Sequence, residues 1–140
     1  MGVSFIIPCH NEEKIIISKI NNTLFLGNLV NEIIVIDDYS LDKTFEIVKR
    51  FSLKNRRVKI FKNVGRGKNS AVILGLDKSK SEIICMTDAD VMLSKNVLQK
   101  VLSYFENPNV GMVSLSTKLL GENHSYSFIY ENLVRFIKIL

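Results

Sequence analysis

Short uninterrupted apolar runs, each followed by a helical pattern, are the feature that most limits how this chain can fold. The runs lie at residues 3–8, 32–36, 58–61, 83–86 and 110–115. Ile- and Val-rich runs of this length are typical of strands that are covered on both faces. Helical patterns occupy the intervening residues 12–26, 41–53, 67–78 and 95–105. The alternation predicts an α/β protein with a doubly wound, Rossmann-like, mainly parallel sheet flanked by helices.

The boundaries of these elements suggest one domain over residues 1–124, followed by a distinct final segment. Asn11, Ser40 and Ser94 precede three of the predicted helices and are expected to cap them. Residues 125–140 predict an amphipathic helix that is more apolar than one packing face requires. Two roles stay open for this helix. It packs on the sheet or against a second copy or partner subunit, or it contacts a membrane surface or lipid acceptor.

Composition narrows the class of partner and the compartment. The net charge of +5 favours anionic partners, but the basic residues are not interleaved with aromatic ones, so nucleic acid is not expected. Cys9 and Cys85 lie in apolar runs without metal-ligand spacing, which indicates buried free thiols and a reducing compartment. The first residues predict a strand rather than a signal peptide, and no apolar stretch reaches about 18 residues. A cytoplasmic protein is expected, with peripheral membrane contact left open.

The aspartates are concentrated at the ends of two predicted strands. Five of the six follow the runs at 32–36 and 83–86: Asp37, Asp38, Asp42, Asp88 and Asp90. Ligands of open parallel sheets bind beyond the carboxyl ends of the strands, so this distribution indicates a site. Asp88 and Asp90 are two residues apart and would point the same way in extended chain. Such a pair suits Mg²⁺ or Mn²⁺ with substrate phosphates, and a solvated turn is the alternative.

Four ordered segments together resemble the family 2 glycosyltransferases of GT-A fold. They are residues 4–13 (SFIIPCHNEE), 32–44 (EIIVIDDYSLDKT), 65–71 (GRGKNSA) and 87–90 (TDAD). The resemblance covers the nucleotide-sugar half of that family. It implies a metal-dependent, inverting transferase that moves a sugar from a nucleoside-diphosphate sugar, preferably a UDP-sugar, to an acceptor that the sequence does not identify.

The same resemblance implies roles for residues near the diphosphate and the base. Asp90 would bind Mn²⁺ or Mg²⁺, and Asp88 would contact the ribose or share the metal through water. Asp38 would accept the N–H of a uracil-type base, whereas Asp37 would be structural. Lys68 would face the nucleotide, with a surface lysine as the alternative.

Three further residues are expected along the nucleotide. Pro8 would approach the base and His10 would stack on it, although a loop histidine is more often solvated. Glu12 would contact the nucleotide or serve as an ordinary glutamate in the first helical turn. Arg66 would assist Lys68 at a helix N-terminus that favours anions, and Asp42 is expected to serve the start of its own helix.

The chain also departs from the family pattern. Asn69 occupies a position where the family commonly has glycine or another small residue, and Tyr39 occupies one where glycine or asparagine is frequent. The chain has no tryptophan, and neither Glu122 nor Glu131 lies in a motif for a catalytic base, so no base is assigned. The alternative function is a nucleotide-sugar-binding module with little transferase activity alone, which would need a partner or act as a subunit.

Overall fold

Strands and helices alternate along residues 2–116 and 134–139, the part of the chain that the computed structural model describes. The strands are β1 (Val3–Cys9), β2 (Val30–Asp37), β3 (Val58–Lys62), β4 (Ile83–Met86), β5 (Met112–Leu115) and β6 (Val134–Lys138). The helices are α1 (Ile16–Phe25), α2 (Thr44–Lys54), α3 (Gly67–Lys78) and α4 (Val97–Tyr104). The alternation read from the apolar runs is therefore confirmed over 2–116.

The strands form one mainly parallel sheet in the order β3-β2-β1-β4-β6-β5. β1 pairs in parallel with both β2 and β4, and β2 pairs in parallel with β3. The chain thus steps outward from β1 to β3 on one side and returns to the other side of β1 with β4. This reversal of direction is the topological switch point, where open α/β sheets bind ligands.

Helices cover both faces of the sheet, as the predicted strand composition requires. The larger core lies on the face of α1, α2 and α4, and includes Phe5, Ile20 and Val101. The other face packs against α3, where Ala71 contacts Ile34 and Ile36. Every residue of β2 except Asn31 is buried, which explains its near-continuous run of Ile and Val.

The C-terminal helix predicted over residues 125–140 is wrong where the structure describes it. Val134–Lys138 is strand β6, which lies between β4 and β5 and is antiparallel to both. Val134 and Phe136 are buried and Arg135 is exposed, a period of two that belongs to a strand. A short apolar run fits either structure, and here the pairing with two neighbouring strands decides. Residues 125–133 lie outside the described ranges.

This correction removes the argument for an interfacial helix over residues 134–138. The Phe136 ring packs against the Phe5 ring, with centroids 6.2 Å apart in an edge-to-face arrangement. Side chains that fill the core are not available to a membrane or a second subunit. Within the described ranges, no helix has both the length and the apolar character needed to cross a membrane.

The expected helix caps are also wrong. The first helical residues are Ile16, Thr44 and Val97, and the residues at their N-cap positions make no capping side-chain bond. Asn11 and Ser40 bond to each other across two loops instead, because the Asn11 N–H donates to Ser40 Oγ at 2.9 Å. Cys9 and Cys85 are buried and free, as predicted, while the reducing compartment inferred from them stays a prediction.

Gly75 allows α3 to approach the sheet closely. A Cβ atom at this position would lie 2.4 Å from Cγ2 of Ile6, a buried residue of β1. Two carbon atoms cannot approach so closely, so any larger residue must displace the helix or Ile6. The position of α3 matters because its first turn carries Gly67 and Lys68.

We expect Gly75→Ala to lower the free energy of unfolding by about 1–3 kcal/mol, because the added methyl group overpacks the contact with Ile6. Urea denaturation followed by circular dichroism measures the change. The matched control is Ile73→Ala, at a position of the same helix that is 67% exposed, where a change within about 0.5 kcal/mol is expected. An unchanged free energy for Gly75→Ala would contradict the close approach.

Candidate functional site

A cleft opens at the switch point because β4 is shorter than its neighbours. The pairing of β1 with β4 ends at Ile6, whereas its pairing with β2 continues to Cys9. Pro8 therefore lies past the last β4 pair, where the sheet requires no backbone N–H from it on that side. The loop after β4 diverges from the end of β1, and the space between them forms a cavity.

The cavity has a volume of about 260 Å³ and collects seven of the residues that the sequence predicts for the site. These are Pro8, His10, Glu12, Asp38, Lys68, Asp88 and Asp90. Cys9 and Ala89, which sequence reasoning did not select, complete the lining. Burial raises the pKa of the Cys9 thiol, and the charge of Asp37 acts in the same direction, so the thiol stays protonated.

Asp38 holds the start of α3. The Gly67 N–H donates to both carboxylate oxygens, at 3.1 Å to Oδ1 and 3.0 Å to Oδ2. Asp38 thus supplies the negative charge that the helix N-terminus favours, although it comes from the end of β2. Since an ionised carboxylate offers about four lone-pair sites, Oδ2 keeps acceptor capacity toward the cavity.

Asn63 supports the candidate site and was missed by sequence reasoning. It is buried directly after β3, and its Nδ2 donates to Asp38 Oδ1 at 2.8 Å. Its Oδ1 accepts a bond from Ser70 Oγ at 2.9 Å, which ties it to α3. The available signal was its position, because it follows a strand at the same edge of the sheet as the aspartates.

The loop after β1 is cross-linked to the loop after β2. His10 Nδ1 lies 2.7 Å from the carbonyl oxygen of Asp38 and donates to it. Asn11 Nδ2 in turn donates to His10 Nε2, and Asn11 Oδ1 accepts the N–H of Leu41 at 2.7 Å. Nδ1 thus acts as a donor and Nε2 as an acceptor in these two bonds. The ring of His10 is thereby oriented rather than freely solvated.

The backbone conformation at Tyr39 is one that glycine and asparagine, the residues frequent at this position in the family, adopt easily. Its φ of 59° is in the left-handed region. The Arg66 guanidinium lies 5.5 Å from the centroid of its ring, within the range of a cation–π interaction. Arg66 therefore contacts Tyr39 at the edge of the cleft and does not line the cavity.

Asp42 serves the start of its helix, as the sequence predicted. The Thr44 N–H donates to its Oδ1 at 2.9 Å, and Thr44 is the first residue of α2. Its Oδ2 accepts the Glu13 N–H at 3.1 Å, so Asp42 also holds the loop before α1.

The other end of the cavity is acidic, with one lysine opposite. Lys68 Nζ lies 2.5 Å from Asp88 Oδ1, an ion pair that spans the cleft from α3 to the loop after β4. Burial raises the pKa of Glu12 above its ordinary value of 4.5, and the negative charges of Asp90 and Asp42 act in the same direction. Within residues 2–116 and 134–139, no hydrogen bond or ion pair engages the Asp90 carboxylate.

These residues fit a divalent cation that is held jointly with a substrate. Among the described residues, no group of three or more His, Cys, Asp or Glu side chains could hold a metal alone. Mg²⁺ and chemically similar ions often bind through one or two carboxylates and complete their shell with phosphate oxygens and water. Asp90 and Asp88 supply such carboxylates.

Comparison with known proteins adds a sequence family and a fold. The family described as Glycosyl transferase family 2 matches residues 4–126. The chain is 37% identical over 109 residues to the probable glycosyltransferase YdaM of Bacillus subtilis. This match covers 74% of this chain and 25% of YdaM. It is 32% identical over 124 residues to the poly-beta-1,6-N-acetyl-D-glucosamine synthase of Staphylococcus epidermidis, covering 87% of this chain and 30% of the synthase.

Solved structures give the same fold. The mannosyltransferase PcManGT of Pyrobaculum calidifontis, in complex with GDP-Man and Mn²⁺, superposes with a TM-score of 0.77 at 22% identity, covering 96% of this chain and 44% of that one. S. aureus TarS 1-349, in complex with UDP-GlcNAc, superposes with a TM-score of 0.72 at 23% identity, covering 94% and 39%. The fold is GT-A, and the chain spans 25–30% of the length of these curated relatives.

We expect Asp38→Ala to lower the free energy of unfolding by about 0.5–2 kcal/mol without any nucleotide, because α3 loses the acceptor of its first N–H. Chemical denaturation of the two proteins measures this. The control is Asp77→Ala on the same helix, where the carboxylate pairs with its neighbour Lys78 at 2.8 Å and little change is expected. Equal stability of Asp38→Ala and the wild type would contradict the capping role.

Proposed function

The chain belongs to glycosyl transferase family 2, and we propose that it forms the donor-binding part of an inverting glycosyltransferase that uses a nucleoside-diphosphate sugar, preferably a UDP-sugar. The observation that carries the proposal is the convergence of seven residues from four separate segments in one cleft at the switch point. A cleft with a basic side chain and acidic side chains at one end and an oriented imidazole at the other suits an elongated ligand with a charged and an aromatic part.

The base is proposed to bind between the ends of β1 and β2. Asp38 keeps acceptor capacity on Oδ2 and would receive the N–H of a uracil ring, while Pro8 and the oriented His10 ring line the same cavity. A hydrogen bond to a charged group is worth about 1.5–3 kcal/mol, enough to discriminate between bases. The complex of PcManGT contains GDP-Man and that of TarS contains UDP-GlcNAc, so proteins of this fold bind either base. The proposed preference of this chain for UDP therefore rests on the bond to Asp38.

The diphosphate is proposed to bind at the acidic end. Asp90, with Asp88 directly or through water, would hold Mn²⁺ or Mg²⁺, and Lys68 would turn from Asp88 toward a phosphate. When bound, the metal would neutralise the charge that develops on the leaving nucleoside diphosphate. The relative PcManGT has Mn²⁺ in its complex, which supports a divalent cation without choosing between the two.

The acceptor and the catalytic base are not assigned to this chain. Glu122 and Glu131 lie outside the described ranges. The second candidate function, a nucleotide-sugar-binding module that is inactive alone, is favoured by one observation, that the chain spans less than a third of these curated relatives. A longer polypeptide or a partner subunit would then supply the acceptor site.

We expect UDP to bind in the presence of Mn²⁺ and to bind at least about tenfold more weakly in EDTA or to Asp90→Ala, because the diphosphate loses its counter-ion. Isothermal titration calorimetry with UDP, and with GDP as comparator, measures the affinities. The matched control is Asp77→Ala, which removes a carboxylate far along α3 and should bind as the wild type does. Binding that is indifferent to metal and to Asp90 would overturn the proposed diphosphate site.

Donor hydrolysis separates the transferase from the module. If the chain is catalytic, incubation with UDP-sugars and Mn²⁺ should release UDP slowly without an added acceptor, and Asp90→Ala should abolish the release. Chromatography of the nucleotides measures it. Metal-dependent binding without any release would favour the binding module.

A further inference from the structure

A fully buried lysine lies beneath the loop that carries Asp88 and Asp90. Lys19 is 0% exposed on α1, and its Nζ donates to Thr87 Oγ1 at 3.0 Å and to the carbonyl oxygen of Val91. Those two acceptors lie immediately before Asp88 and immediately after Asp90. The ammonium group therefore bridges the two ends of the acidic turn from inside the protein.

A second side chain of α1, that of Asn22, also bonds to the backbone after the acidic turn. Asn22 is three residues after Lys19, on the same side of the helix. Its Nδ2 donates to the Leu93 carbonyl oxygen at 3.0 Å and its Oδ1 accepts the Leu93 N–H at 2.9 Å. Thr87 is itself anchored to the sheet, because its N–H donates to the Ile6 carbonyl oxygen at 3.2 Å. The acidic turn is thus held from α1 and from β1.

Burying the charged ammonium group of Lys19 carries a free-energy cost. Burial lowers the pKa of Lys19 from 10.5 to about 8, and the negative charges of Asp88 and Asp90 recover only part of that shift. Removing an ammonium group from water costs several kcal/mol, and an apolar side chain of the same length would fill the space without that cost. A cation at this position offsets the mutual repulsion of the two carboxylates above it.

We propose that Lys19 is a positioning residue for the Asp88–Asp90 pair. Its ammonium group fixes the ends of the turn and offsets the carboxylate repulsion, so that the pair is arranged for a divalent cation and diphosphate before they arrive. The proposal depends on the proposed function, because it concerns the same acidic end of the cleft. It assigns to α1 a role in the site although Lys19 does not line the cavity.

The sign of one measurement separates positioning from simple proximity. If Lys19 were only a nearby positive charge, its removal would strengthen Mn²⁺ binding, because like charges repel. If it positions the acidic turn, its removal weakens Mn²⁺ binding. Residues that support metal ligands from behind typically change metal affinity by about 10- to 100-fold.

The experiment compares Lys19→Met with the wild type in Mn²⁺ titrations at UDP concentrations that saturate both proteins, so that a change in UDP affinity does not contribute, with free Mn²⁺ measured by electron paramagnetic resonance. We expect at least about tenfold weaker Mn²⁺ binding. The matched control is Lys49→Met, the same substitution at an exposed position of α2, which should bind as the wild type does. Uridine binding followed by NMR serves as a second readout, and it should be unchanged because the base end is held by other residues.

Equal or tighter Mn²⁺ binding by Lys19→Met would overturn the proposal, and so would a parallel loss of uridine binding, which would indicate a general structural role. If Lys19→Met does not fold, Thr87→Val decides, because it removes one acceptor of Nζ and leaves α1 intact. Weaker Mn²⁺ binding by Thr87→Val supports the proposal and unchanged binding overturns it. A wild type that binds neither Mn²⁺ nor UDP would instead refute the proposed function.

Discussion

The unequal pairing of β1 with its two neighbours is the constraint on which the site depends. β1 remains paired with β2 as far as Cys9 and Asp37, but with β4 only as far as Ile6 and Met86. The sheet therefore ends in a step at its switch point. The longer pair of strands brings His10 and Asp38 to one side of the step, and the loop that leaves β4 early brings Asp88 and Asp90 to the other. A ligand that fills the step contacts both groups, so the unequal strand pairing determines which side chains face the ligand.

Most carboxylates around the cleft already have partners, and this divides their roles. Asp38 accepts the Gly67 N–H, Asp42 accepts N–H groups before α1 and α2, and Asp88 pairs with Lys68. Within the described part of the chain, Asp90 has no such partner. Although the net charge of the chain is +5, negative charge is concentrated around the cleft. Backbone N–H donors and the ammonium groups of Lys19 and Lys68 offset the repulsion between these carboxylates. Among the aspartates of the described cleft, Asp90 is therefore the one most open to a cation from solution.

The apolar runs predicted most strands because strands buried on both faces consist almost entirely of apolar residues. The aspartates indicated the edge of the sheet because residues there lie outside the apolar core and can be polar. Strand β6 was missed because five residues are compatible with either period, and only the partners β4 and β5 decide between them. Asn11 and Ser40 are residue types that suit both helix caps and bonds between loops, so the sequence pattern does not separate the two roles. The burial of Lys19 could not be read from α1 alone, since its acceptors come from residues 87 and 91.

The two ends of the cleft are organised by different means. At the end formed by the loops after β1 and β2, Asn11 and Tyr39 both adopt left-handed backbone conformations, with φ values of 56° and 59°. Such a conformation costs of order 1–3 kcal/mol for a residue such as tyrosine and less for asparagine, and it persists where surrounding bonds enforce it. Here the Asn11 bonds to both loops enforce them, and in return they hold the His10 ring. At the acidic end, the backbone is held from beneath by α1. Because the two sets of bonds share no residue, a substitution in one set leaves the bonds of the other in place.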